Sequence, residues 1–179
     1  MDTVGFISQS LHQVQIRLEA SCEGLTQEQV LWRPLPHANS IGFILWHVAR
    51  AEDNRTASLL GKASLWESQG WYKRFGQPVD APDPGDRAGL RAISIPALEV
   101  LTGYAEAAYR QTREFLSSVT DDDIESVPDP SQPERTLGAL LRHVVTHKNN
   151  HHGQIDYIRG LQDADWDLPP GTGVYLPPE

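Results

Sequence analysis

The segment Thr136–Arg159, TLGALLRHVVTHKNNHHGQIDYIR, constrains the chain most, because helical spacing sets histidines on a line that is otherwise apolar. In heptad register that line runs Leu137, Leu140, Val144, His147, His151, Ile155 and Ile158. His147 and His151 stand one helical turn apart, so both rings leave one face and can converge on a single ion. A neutral imidazole left without a partner in a core seam costs roughly 1–3 kcal/mol. Metal coordination or a polar cavity removes that cost. His143 falls toward the flank of the stripe, and His152 points about 100° away from His151. Both are expected at supporting or surface positions.

Three more segments carry helical spacing. Ile7, Leu11, Val14, Leu18 and Cys22 mark a first amphipathic helix. A second starts after a Ser40 cap and runs to Gly61, with Ile41, Leu45, Val48 and Leu59 as its apolar set. A third is predicted from Ser94 to about Ser118, through Leu98, Leu101, Ala105, Ala108, Thr112, Phe115 and Val119. The histidine helix is the fourth, from a Thr136 cap to about Leu161. No segment sustains the two-residue alternation of a strand, so the expected fold is all-α, a four-helix bundle in a single domain spanning 1–179.

An internal echo accompanies the helices. LTQEQVLWRP followed by SIGFILWHVAR resembles VTDDDIESVP followed by TLGALLRHVVT, pairing Ser40 with Thr136, Gly42 with Gly138 and His47 with His143. It suggests two related helical pairs, each preceded by a short acidic turn, at Thr26–Gln29 and Thr120–Asp123. Residues 61–93 hold Trp66, Trp71, Tyr72, Phe75 and the run PVDAPDPGD, and are read as a long aromatic loop without helices. The Pro-rich tail, 163–179, is expected to pack on the bundle or on a partner subunit, anchored by Val174, Tyr175 and Leu176.

Composition narrows the partners. With 24 acidic and 15 basic side chains the formal charge is -9, which opposes attraction to nucleic acid or anionic lipid. Cys22 is the one cysteine, so no internal disulfide forms, and with no long apolar run the expected location is the cytoplasm. HKNNH lacks the glutamate that places a base beside the first ligand of H-E-x-x-H, so metalloprotease chemistry is disfavoured. Two imidazoles from one helix need another ligand to hold a divalent ion firmly. The candidates by position are His47, His12, Glu52 and Asp53, while His37, in a proline loop, is expected in solvent.

RPLPHANSIGFILWHVARAEDN resembles the second helix of the DinB/YfiT-like superfamily with its single histidine, and HKNNHHGQIDYIRG is similar to that family's HxxxHxGQ stretch. Helix order and spacing agree over nearly the whole chain, although His152 stands where the family usually has arginine before the Gly-Gln pair. The resemblance implies a divalent ion, nickel or zinc, held by His47, His147 and His151, with coordination positions left open for water or substrate. It also implies a homodimer and an activity on small electrophiles with a low-molecular-weight thiol, as an S-transferase or isomerase. Gln154, Asp53 and His143 are candidates to support the ligands. The alternative reading is a metal-binding or interaction bundle whose site is vestigial.

Overall fold

The computed structural model describes residues 1–80, 82 and 86–172. Among these there are eight α-helices and no strand, a helical bundle fold as expected. In chain order they are α1 (Thr3–Cys22), α2 (Gln27–Leu31), α3 (Ile41–Leu60), α4 (Leu65–Ser68), α5 (Trp71–Arg74), α6 (Arg87–Arg91), α7 (Leu98–Leu116) and α8 (Leu137–Gln162). The four long ones, α1, α3, α7 and α8, are those the spacing predicts. Two compact units divide the chain: Leu25–Ala108, and Met1–Gly24 together with the residues from Tyr109 onward.

In the second of these units α1 packs against α8. Two carboxylates hold the start of α1: Asp2 accepts from Gly5 N, and Asp121 accepts from Thr3 N at 3.0 Å and Val4 N at 2.9 Å. Negative charge at a helix N-terminus is favourable, and the backbone bonds hold the Asp121 carboxyl below its ordinary range. Thr136 caps α8 by accepting from Ala139 N. The buried line of α8 is Leu137, Leu141, Val144, Lys148, His152, Ile155 and Ile158, with Leu140 only half-buried. It departs from the expected line in the middle of the helix, where Leu141, Lys148 and His152 are buried instead of Leu140, His147 and His151, and rejoins it at Ile155 and Ile158. His152, expected at a supporting or surface position, is thus buried. The tail returns to the helices at least as far as Thr172, whose carbonyl accepts from Arg17 Nε at 2.9 Å, and Arg159 stacks over Trp166. Val174, Tyr175 and Leu176 lie outside the described residues.

In the Leu25–Ala108 unit, Thr26 and Gln29 cap α2 reciprocally, Ser40 caps α3 by accepting from Phe43 N, and Gly61 ends α3 at φ 60. Residues 61–93 are not a bare loop, a correction to the sequence reading. Three short helices, α4 to α6, lie there; α6 is capped locally by Asp86, which accepts from Gly89 N at 2.9 Å, while α4 takes its cap from a remote carboxylate. Asp53 of α3 accepts from Leu65 N at 2.8 Å and Trp66 N at 2.9 Å, capping α4 from outside the segment. Trp66, Trp71 and Phe75 then pack around the buried ring of Tyr104. α7 begins at Leu98 rather than Ser94, since Pro96 disfavours helical backbone at Ile95.

The echo has a physical counterpart within each unit. Gly42 lies so close to α2 that an added Cβ would meet Ile95 Cγ2 and sit 2.8 Å from Val30 Cγ1. At Gly138 the added Cβ would sit 2.7 Å from Ile124 Cγ2 and 3.3 Å from the Ile124 carbonyl oxygen, and Gly138 N donates to that same carbonyl. Val30 and Ile124 are each four residues past the threonine that opens the acidic turn. Stiff β-branched neighbours cannot withdraw from a new methyl group. Gly42→Ala and Gly138→Ala should each lose about 1–3 kcal/mol from overpacking, exceeding the roughly 1 kcal/mol that alanine adds in a helix. Urea denaturation of both variants checks this; an unchanged or raised midpoint for either contradicts the close approach.

Candidate metal centre

His47 sits in the second turn of α3, half-buried, with its ring parallel to that of Phe43 at 6.2 Å. On α8 the one-turn spacing brings the rings of His147 and His151 to 4.5 Å, nearly perpendicular. Both are half-buried, at the margin of a helix whose fully buried line runs one residue further on, through Lys148 and His152. Gln154, exposed one turn on, places its amide oxygen 3.0 Å from His151 Nδ1. An amide oxygen only accepts, so Nδ1 carries the proton and Nε2 keeps its lone pair for a ligand. His47, His147 and His151 form a group that could hold a metal ion: one ligand atom from each lies within 4.8 Å of the other two.

The other candidates are placed differently. His12 is half-buried with Nδ1 2.6 Å from the Tyr109 hydroxyl, and His37 is exposed as expected. Asp53 is fully buried, and beyond its two bonds to α4 it accepts from the Tyr104 hydroxyl at 2.7 Å. Its oxygens organise the fold around α4. Glu52 is buried on the same helix. His143 is exposed, its ring 5.4 Å from that of His147.

Two polar features escape a heptad reading. Lys148 is 1% exposed, with its ammonium 5.1 Å from the centre of the Tyr109 ring. His152 Nε2 lies 3.0 Å from Ser21 Oγ and 3.2 Å from Asp156 Oδ2, while Ser21 also donates to Asp156 Oδ1 at 2.6 Å. Burial lowers the His152 pKa and the Asp156 carboxylate opposes that effect, so the neutral ring is favoured. The heptad pattern carries no signal for either residue. Burial also pushes the Cys22 thiol up to about 12, so this chain's own cysteine is no source of thiolate.

A family model described as the DinB superfamily matches residues 10–155. The chain belongs to the DinB superfamily. Its fold recurs in the crystal structure of a conserved protein from Enterococcus faecalis, 24% identical, with a TM-score of 0.80 over 90% of this chain and 97% of that one. Comparison with curated proteins gave no match. Within this DinB chain no helix among the described residues is long and apolar enough to cross a membrane.

Because the Asp53 carboxylate takes two backbone N–H groups and a buried phenol, Asp53→Asn should leave at least one of these donors badly paired. The expected loss is about 1–3 kcal/mol, seen as a lower thermal midpoint. A midpoint equal to that of the native chain would contradict the assigned role.

Proposed function

We propose that this DinB protein is a divalent-metal-dependent enzyme acting on small molecules, with His47, His147 and His151 as ligands to nickel or zinc. The observation that carries the reading is the convergence of three imidazole donors, all half-buried, within 4.8 Å. The donor set fits such an ion: imidazole nitrogen suits nickel and zinc, and Gln154 holds His151 in the tautomer that frees Nε2. Three neutral ligands leave room for a fourth, as in catalytic sites.

Bound there, a divalent cation supplies Lewis acidity that lowers the pKa of a thiol or water. The remaining work falls to the chain. Gln154 orients the His151 ring, and the Phe43 ring lies parallel to that of His47 beside the proposed site. With Cys22 buried and protonated, the attacking thiol is external. The proposed reaction joins a low-molecular-weight thiol to a small electrophile, the thiol losing its proton and the electrophile its leaving group as the C–S bond forms, or is a thiol-dependent isomerisation. In this reading Asp53 and His143 support the ligand helices, and the protein is a cytoplasmic homodimer.

Purified protein supplemented with nickel or zinc and then dialysed should retain about one equivalent of metal per chain. The His147→Ala, His151→Ala double variant should retain almost none. With an aryl halide as electrophile, the loaded protein should consume bacillithiol, mycothiol or glutathione faster than the double variant. Absence of stoichiometric metal would defeat the site. Metal without any excess thiol consumption would defeat the transferase and leave a non-catalytic metal-binding bundle.

A further inference from the structure

Phe43, Trp46, His47, Arg50 and Asn54 follow one another along α3 at helical spacing, so they share one face of the helix. Their rings are contiguous. Phe43 stacks on His47 on one side and meets Trp46 at 5.6 Å on the other, and Trp46 meets Trp66 edge to face at 6.4 Å. The Arg50 guanidinium then lies over Trp66 at 5.1 Å. Phe43 and His47 are half-buried, so the platform opens to solvent beside His47, while Trp46 is 4% exposed.

Two donors on this face lack an acceptor among the described residues. Trp46 Nε1 and Arg50 Nε are both buried without a hydrogen-bond partner there. The rest of Arg50 is engaged: Nη1 bonds Asn54 and lies 3.9 Å from Asp53 Oδ2. Buried N–H groups in folded proteins are nearly always paired, and an orphan costs about 1–3 kcal/mol. Here two occur four residues apart on one helix, one of them cationic, beside an apolar ring. Neither side chain offers an acceptor, so a complementary ligand must bring oxygen lone pairs and no proton to donate. The chain is acidic overall, at -9, so an anion would be drawn by this local pair and not by the general field.

We propose that Trp46 Nε1 and Arg50 Nε receive the carboxylate of an apolar small molecule whose body rests on Phe43, beside His47. That this molecule is the substrate rests on the proposed function; the carboxylate site itself does not require the metal. The site would select acid-bearing aryl or alkyl compounds over their amides and esters, because only the carboxylate satisfies a cationic donor and a neutral one together.

The test is a benzoate titration of 15N-labelled full-length protein, metal-free and zinc-loaded, read at the tryptophan indole N–H signals, with Trp46→Phe assigning that residue. The Trp46 signal should move downfield saturably in both forms while the other four indoles move little. Benzamide should bind about tenfold or more weakly, and Arg50→Gln should weaken benzoate by a similar factor. A Trp46 signal that stays in place, equal affinity for benzamide, or an Arg50→Gln variant that binds as the native chain does would overturn the proposal. Should Trp46→Phe not fold, selective tryptophan labelling assigns the signal and the native titration decides. Zinc content measured on the same samples separates the two readings. Zinc retained without a benzoate response defeats the carboxylate site alone; a benzoate response without zinc retention defeats the metal enzyme alone.

Discussion

Everything at the candidate centre depends on the rotational phase of α3 and α8, and that phase is fixed where each helix starts. A hydroxyl cap, Ser40 or Thr136, stops the helix from beginning earlier, and a glycine two residues on is pressed against a β-branched side chain of the preceding turn. Gly42 against Val30 and Gly138 against Ile124 leave no space for a side chain, so neither helix can rotate about its axis without a clash. With the first turn set, His47 falls five residues beyond one glycine and His147 and His151 nine and thirteen beyond the other. The two helices start alike but use the arrangement differently. His143 occupies the place in α8 that His47 occupies in α3, yet it is exposed, and the two histidines further along join His47 instead.

Burial divides the polar groups near the centre into two kinds. Lys148 and His152, on the inward line of α8, are held by Tyr109, Ser21 and Asp156, and Asp53 is held by α4 and Tyr104. These groups bind parts of the fold to one another. His147 and His151 stand one residue back on the margin of the same helix, half-buried, with Gln154 fixing one ring. Their rings therefore stand at the edge of the inward line and not within it.

Local physics made most of the fold legible in the sequence. Caps at Ser40 and Thr136 and the glycine stop at Gly61 depend on neighbours within a few residues, and each sits where the pattern places it; the four long helices are present too, with α7 starting late, at Leu98, and α8 burying a different line in its middle. In the segment 61–93, α4 and α5 are not legible because they rest on Asp53 and Tyr104, which lie outside it. The burial of Lys148 and His152 is not legible because it rests on Tyr109 and Ser21, which lie on other helices. At the centre itself, periodicity paired His147 with His151 but said nothing of a third ligand, since spacing along one helix carries no information about another. Only the family resemblance singles out His47; the residues alone leave His12, Glu52 and Asp53 equally open.

The central claim is that three imidazoles from α3 and α8 bind one divalent ion together. X-ray absorption at the metal edge of nickel- or zinc-loaded protein addresses it most directly, comparing the native chain with His47→Ala. The native spectrum should require three imidazole ligands at about 2.0–2.1 Å, completed by light oxygen or nitrogen donors, and the variant should lose one of the three. A native site fitted by two imidazoles or fewer, or one that His47→Ala leaves unchanged, would contradict the account.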